Sequence, residues 1–243
     1  MESEPVLAAV GVRRNFGAVA ALDGVDFAVG PGEAIGIVGP NGAGKTTLLS
    51  ILAGTIAPSS GAVLFRGRDV TRSGASSRAR LGIGRAHQVP RPFGAMTVFE
   101  NCFVAATTGG ALRRRPAYAR CIELLDLCQL GEVANRRADT LGLLGRKRLE
   151  LARALATSPV VLLLDEIGAG LTDAEAAELV VMVKALRDSG LAIVWIEHIV
   201  HILVQVVERL VCMDFGQLIA DGEPQAVMRD ARVVDAYLGS AVA

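Results

Sequence analysis

The chain has 243 residues, of which 51% are hydrophobic, with 25 basic and 25 acidic side chains. This length fits one large domain or a core carrying a smaller insertion, and the balanced charge gives no electrostatic reason to expect nucleic acid or an anionic surface as partner. Cys102, Cys121, Cys128 and Cys212 show no CxxC spacing, which argues against a metal site and for reduced, buried thiols.

The N-terminus, MESEPVLAAV, is acidic and lacks the basic region of a signal peptide. FAVGPGEAIGI and GAVLFRGRDV read as strands closed by turns at Gly30, Pro31, Gly32 and at Gly67, Arg68, Asp69, an antiparallel addition to the core. AIGIV is a buried strand and KTTLLSILAG the helix after it. Gly82 and Gly84 in LGIGR lack the third glycine of a dinucleotide fingerprint and read as a turn. From Val89 to Thr157 helical signals dominate, Arg113, Arg114 and Arg115 reading as a solvated run and Cys121 and Cys128 as one buried helix face.

In TLGLLGRKRLELARAL, the positions Leu149, Ala152 and Leu155 fit a helix face, and Arg146, Lys147 and Arg148 fall in its expected first turn. Positive charge there opposes the helix dipole unless an anion is near. VVLLLDE is a buried strand followed by the helix AEAAELVVMV, which a capping box from Thr172 to Glu175 would start. LAIVWIE and the helical run IVHILVQVVERL come next, and the βαβ rhythm implies an α/β fold around a parallel sheet. The greasiest stretch is broken by Glu197, His198, His201, Gln205, Glu208 and Arg209, far short of the ~20 apolar residues of a membrane span.

The strongest chemical signal is GPNGAGKTT, in which Gly39, Gly44, Lys45 and Thr46 match G-x-x-x-x-G-K-[ST] between a strand and a helix. Glycines let successive N–H groups face phosphates, the lysine neutralises β/γ oxygens, and the threonine hydroxyl serves Mg²⁺. VVLLLDE ends in Asp165 and Glu166, where ligands of open α/β sheets bind. Beside a P-loop, Asp165 is the expected Mg²⁺ partner and Glu166 the candidate base for the attacking water. Gln88 in RAHQVP and His198 in VWIEHIV gain weight from their order along the chain.

That order of motifs resembles the ATP-binding subunits of ABC transporters over nearly the whole chain. The resemblance implies a P-loop (RecA-like) core at 1–88 and 157–243 with a helical subdomain at 89–156, binding ATP and Mg²⁺. It assigns Phe16 to the adenine and Gly39, Pro40, Asn41, Gly42, Ala43, Gly44, Lys45, Thr46 and Thr47 to the Walker A loop. Thr46, Gln88 and Asp165 are implied at the metal. Glu166, His198 and Gln88 are implied in catalysis, His198 as the histidine sensing the γ-phosphate, and Gly170 to Thr172 as the D-loop. Leu141, Gly142, Leu143, Leu144 and Gly145 fall where the family carries LSGGQ, the loop covering a partner's ATP.

That loop departs from the pattern. Gly142 lacks the serine hydroxyl, Leu144 adds a side chain where bare backbone is expected, and Gly145 replaces the glutamine. Ile167, Thr172 and Ile199 are smaller departures. RPFGAMTVFEN, MDFGQLIADGEP and DAYLG resemble the ATPases of branched-chain amino-acid importers. The partners so implied are transmembrane permease subunits reached through Val89, Pro90, Pro92, Phe93 and Met96, an extracytoplasmic binding protein acting indirectly, and a second ATPase, with a heterodimer favoured over a homodimer. The site implied is the cytoplasmic face of the membrane, without nucleic acid. A soluble ABC ATPase acting on nucleic acid or ribosomes, and a weakly hydrolysing regulator, are the alternatives. The former is disfavoured by a single P-loop and by the absence of heptads between Lys45 and Leu141.

Overall fold

The computed structural model describes residues 4–239, so Met1 to Ser3 of the N-terminal reading and the last four residues lie outside it. Two sheets organise the chain. Strands β1 (Leu7–Phe16), β2 (Val19–Val29), β4 (Ser60–Phe65) and β5 (Arg68–Asp69) form an antiparallel sheet in the order β2-β1-β4-β5. A six-stranded sheet has the order β10-β9-β3-β8-β7-β6, from β3 (Ala34–Val38), β6 (Ile83–Ala86), β7 (Val161–Asp165), β8 (Ala192–Ile196), β9 (Arg209–Asp214) and β10 (Gln217–Gly222). Its strands are parallel except β10, which pairs antiparallel with β9 at the edge. Every residue of β3, β7 and β8 is buried, as strands covered on both faces must be.

One face of this sheet packs with β1, β2 and α1 (Lys45–Ala53) in a cluster containing Ile35, Leu48 and Val194. The other packs with α3 (Val98–Thr108), α4 (Arg114–Leu127), α5 (Leu143–Ala156) and α6 (Asp173–Asp188), through Cys102, Leu124, Leu149 and Val183. Leu149, Ala152 and Leu155 are buried, as their spacing predicts, and Thr172 and Glu175 make the expected reciprocal cap on α6. A second capping box, Thr97 with Glu100, starts α3.

Four local readings need correction. The second turn lies at Arg66 and Gly67, both in the left-handed region, and leaves Arg68 and Asp69 in β5. Gly82 caps α2 (Ala75–Leu81), but Gly84 lies inside β6, where a Cβ would come within 2.9 Å of Pro159. The run IVHILVQVVERL is not one helix. Only Val200–Leu203 (α7) is helical, because Val206 and Val207 are buried and the chain must reach β9 at Arg209. Arg146, Lys147 and Arg148 lie beyond the first turn of α5, whose N-cap is Gly142. Two short helices, α8 (Pro224–Arg229) and α9 (Ala231–Gly239), close the chain.

Candidate nucleotide site

The parallel strands deliver their C-terminal ends to one rim, where open α/β sheets bind ligands. From β3 the chain turns through Gly39 and Gly44, at φ +142° and +101°. A Cβ on Gly39 would sit 2.1 Å from the Met213 carbonyl oxygen, and one on Gly44 would sit 2.5 Å from that of Ala21. Only glycine permits this packing of the loop. Gly44 is the N-cap of α1 and supplies no side-chain cap, so the helix's first N–H groups are left for an anion.

Asn41 to Thr47 line a cleft of about 310 Å³ with Phe16, Ala21 and Glu166. Phe16 ends β1, is 46% exposed, and has the Arg14 guanidinium 4.6 Å from its ring centre. The Lys45 ammonium is folded back, donating to the carbonyl oxygens of Gly39 at 2.7 Å and Pro40 at 2.9 Å. Burial lowers its pKa, and Glu166 is foremost among the charges opposing that.

Beside the loop, the Thr46 hydroxyl lies 3.4 Å from Asp165 Oδ1. The other oxygen of Asp165 accepts from Arg85 at 2.6 Å, both side chains nearly buried. Arg85, from β6, also donates to Ser50 and Thr55. Sequence reasoning passed over it, since a lone arginine after two glycines carries no motif.

Gln88, Glu166 and His198 come together from the ends of three strands. Gln88 Nε2 donates to one Glu166 oxygen at 2.5 Å, and His198 Nε2 lies 2.8 Å from the other. Glu166 holds φ +47°, a conformation that costs a non-glycine residue energy and persists only when its surroundings impose it. Its N–H donates to the Ile196 carbonyl at 2.9 Å. Next to His198, the buried Glu197 accepts from Gly168 N–H at 2.7 Å and from Trp195 Nε1 at 3.2 Å. Burial raises its pKa against those hydrogen bonds.

Leu141 to Gly145 do not line this cleft. Leu141 is nearly buried, and Leu143 to Gly145 form the first turn of α5, with Leu143 packed beside Gly170. The basic run does not crowd an anion site. Lys147 points inward, Arg148 pairs with Glu178 and Gln129 Oε1, and Arg146 is the exposed member of the three. Val89, Phe93 and Met96 are exposed on a loop that the buried Asn101 clamps through Phe93 N–H at 2.8 Å and the Phe93 carbonyl at 3.1 Å. Two further contacts lay beyond sequence reading. Gly39 N–H donates to Tyr237 Oη at 2.9 Å across 198 positions, and Lys147 reaches the Gln88 and Glu166 carbonyls.

A strand-to-helix phosphate cradle with an aspartate and a glutamate at the end of a parallel strand two places along the sheet defines a P-loop ATPase core. Residues 22–169 match the ABC transporter family model, and the chain belongs to that family of ATPases. Residues 217–243 match the model of branched-chain amino acid ATP-binding cassette transporters. The chain is 35% identical to the high-affinity branched-chain amino acid transport ATP-binding protein LivG of Escherichia coli K12, covering 98% of this chain and all of LivG. It is 30% identical to the lipopolysaccharide export system ATP-binding protein LptB of Haemophilus influenzae, over 96% and 97% of the two chains. An ATP-binding cassette of an ABC transporter in its ADP conformation superposes with a TM-score of 0.86 at 29% identity, over 97% of this chain and 99% of that one.

Proposed function

We propose that this chain powers an importer of branched-chain or related amino acids by hydrolysing ATP against separate transmembrane subunits. The observation that carries the hydrolytic part is the convergence of Gln88, Glu166 and His198 on one carboxylate at the edge of the Walker A cleft. Likeness to LivG and the match of residues 217–243 support the substrate class. Among the described residues no helix is long and apolar enough to cross a membrane, so transport on this reading needs permease subunits. The exposed Val89, Phe93 and Met96 offer them an apolar surface.

In this reading Phe16 stacks on the adenine, while the N–H groups of the 39–47 loop and Lys45 hold the phosphates. Lys45 must exchange the Gly39 and Pro40 carbonyls for phosphate oxygens. Thr46 and Asp165 present a hydroxyl and a carboxylate on adjoining positions, a hard-oxygen pair of the kind that holds Mg²⁺ beside substrate phosphates. Held by that pair, Mg²⁺ would supply charge neutralisation for the phosphates. Glu166 takes the proton of the water attacking the γ-phosphorus, ADP leaves, and Gln88 and His198 keep the carboxylate aimed. Leu141 to Gly145 cover the ATP of a second, non-identical ATPase.

The likeness to LptB carries export as the second reading. Membrane vesicles holding the chain with the transmembrane subunits that co-purify with it decide between them. ATP-dependent accumulation of leucine, isoleucine or valine, abolished with Lys45→Ala together with nucleotide binding, is the expected outcome. Lys45→Ala binding ATP as wild type overturns the site, and ATP turnover without amino-acid accumulation overturns the substrate class.

A further inference from the structure

The buried ammonium of Lys147 has no role in the reading above. The residue is 3% exposed, although it stands in only the second turn of a helix whose neighbouring Arg146 faces solvent. A lysine is rarely buried to this degree without partners, and its partners here are specific. Nζ donates to the Gln88 carbonyl at 2.6 Å and to the Glu166 carbonyl at 3.3 Å. Among the described residues no carboxylate closes on it within salt-bridge distance. Glu197, Glu166 and Glu150 act on it through the field alone, and burial lowers its pKa against them.

The two carbonyls belong to the two residues whose side chains meet at 2.5 Å. One cation on α5 therefore pins both backbones that present the candidate base and its glutamine. Glu166 needs such a pin, because its φ of +47° has to be imposed from outside. α5 also begins at Gly142, inside the loop assigned to the partner's ATP. A rotation of α5 that reseats Leu141 to Gly145 moves the same ammonium.

We propose that Lys147 is a positioning residue that couples the seating of α5 to the alignment of Glu166 and Gln88. The proposal rests on the assignment of Glu166 as base. It makes the catalytic carboxylate of one site responsive to whether the same chain's covering loop is docked on the other. No covalent step involves Lys147.

The test compares Lys147→Met, which keeps the stem and removes the donors, with Lys147→Arg, which keeps a cation able to reach both carbonyls. Steady-state hydrolysis, affinity for a non-hydrolysable MgATP analogue and melting temperature are measured for each, with Glu166→Gln alongside. Lys147→Met is expected to lower kcat by about ten- to a hundredfold, the effect of a small displacement of a catalytic group, with analogue affinity and melting temperature near wild type. Lys147→Arg is expected to recover most of the lost rate. Full turnover in Lys147→Met beside an inactive Glu166→Gln overturns the coupling role alone. Loss of analogue affinity or melting temperature in step with rate overturns it too, since the ammonium would then be structural. Full turnover in Glu166→Gln overturns the base assignment and the coupling role with it.

Discussion

Restoring one hydroxyl to the altered loop, by Gly142→Ser, separates the monomer's needs from those of a closed dimer. Gly142 sits at φ −65°, ψ 176°, as the N-cap of α5 with no side-chain cap, and a Cβ added there meets nothing within 4 Å. Serine therefore enters without strain. In the monomer its gain is that of a serine over a glycine cap, a few tenths of a kcal/mol, which moves the melting temperature by about a degree in a chain of this size. On the proposed placement the hydroxyl faces the γ-phosphate of the partner's ATP in a closed dimer, and such a hydrogen bond to a charged group contributes ~1.5 to 3 kcal/mol. That is about one to two decades per site, and a homodimer has two such sites. In a Glu166→Gln background, sedimentation of the purified chain with MgATP is expected to show a dimer dissociation constant lowered by about two to four decades relative to the glycine parent. An unchanged constant, or an equal shift without nucleotide, refutes the placement of Gly142 over a partner's phosphate.

Thr172→Ala removes a reciprocal cap seen in both directions and is expected to cost ~0.5 to 2 kcal/mol, read as a lowered denaturant midpoint with an unchanged slope. A midpoint equal to wild type refutes the cap's contribution. The thiols of Cys121 and Cys212 are pushed up to about 11 and that of Cys128 to about 12, in each case chiefly by burial, which also raises Cys102 strongly. Thiolate is the reactive form, so iodoacetamide at pH 8 is expected to label the folded chain slowly and all four cysteines after unfolding. Rapid labelling of the native protein at any of the four contradicts their burial.

Strand ends and helix starts were legible because they depend on local chemistry. The Walker A glycines announce positive φ, VVLLLDE announces a buried strand ending at the rim, and Thr172 with Glu175 announces a cap, all within a few residues. Contacts that close across the chain were not legible. Arg85 meets Asp165 from 80 positions away and Lys147 meets Gln88 from 59, and neither sits in a pattern that names its partner. The basic run shows how a local argument misleads. Charge near a helix start suggested an anion, whereas the helix begins earlier than expected and two of the three charges are taken by Gln88, Glu166, Gln129 and Glu178. The helix expected over IVHILVQVVERL failed for a related reason, since apolar spacing cannot tell a helix face from a buried turn feeding a strand inside the sheet.

The departures from the family pattern fall unevenly, and the unevenness bears on which dimer works. On the proposed reading Lys45, Thr46, Gln88, Asp165, Glu166 and His198 serve the chain's own nucleotide, and each is the residue type that chemistry asks for. Gly142, Leu143, Leu144 and Gly145 lie in the loop assigned on that reading to another chain's nucleotide, and there the pattern is lost. In a homodimer both sites would combine an intact cradle with an altered cover, and the lost hydroxyl contact would weaken closure twice. In a heterodimer one site gains an intact cover over this chain's cradle, and the altered loop is confined to the partner's. Lys147 keeps that altered loop mechanically useful on this reading. Even if Leu141 to Gly145 bind the partner's phosphates poorly, docking them still moves α5, and through the two carbonyls still aligns the base in the intact site. Altered contact chemistry with a retained backbone linkage is the combination expected of a chain whose own site does the hydrolysis while its loop reports closure.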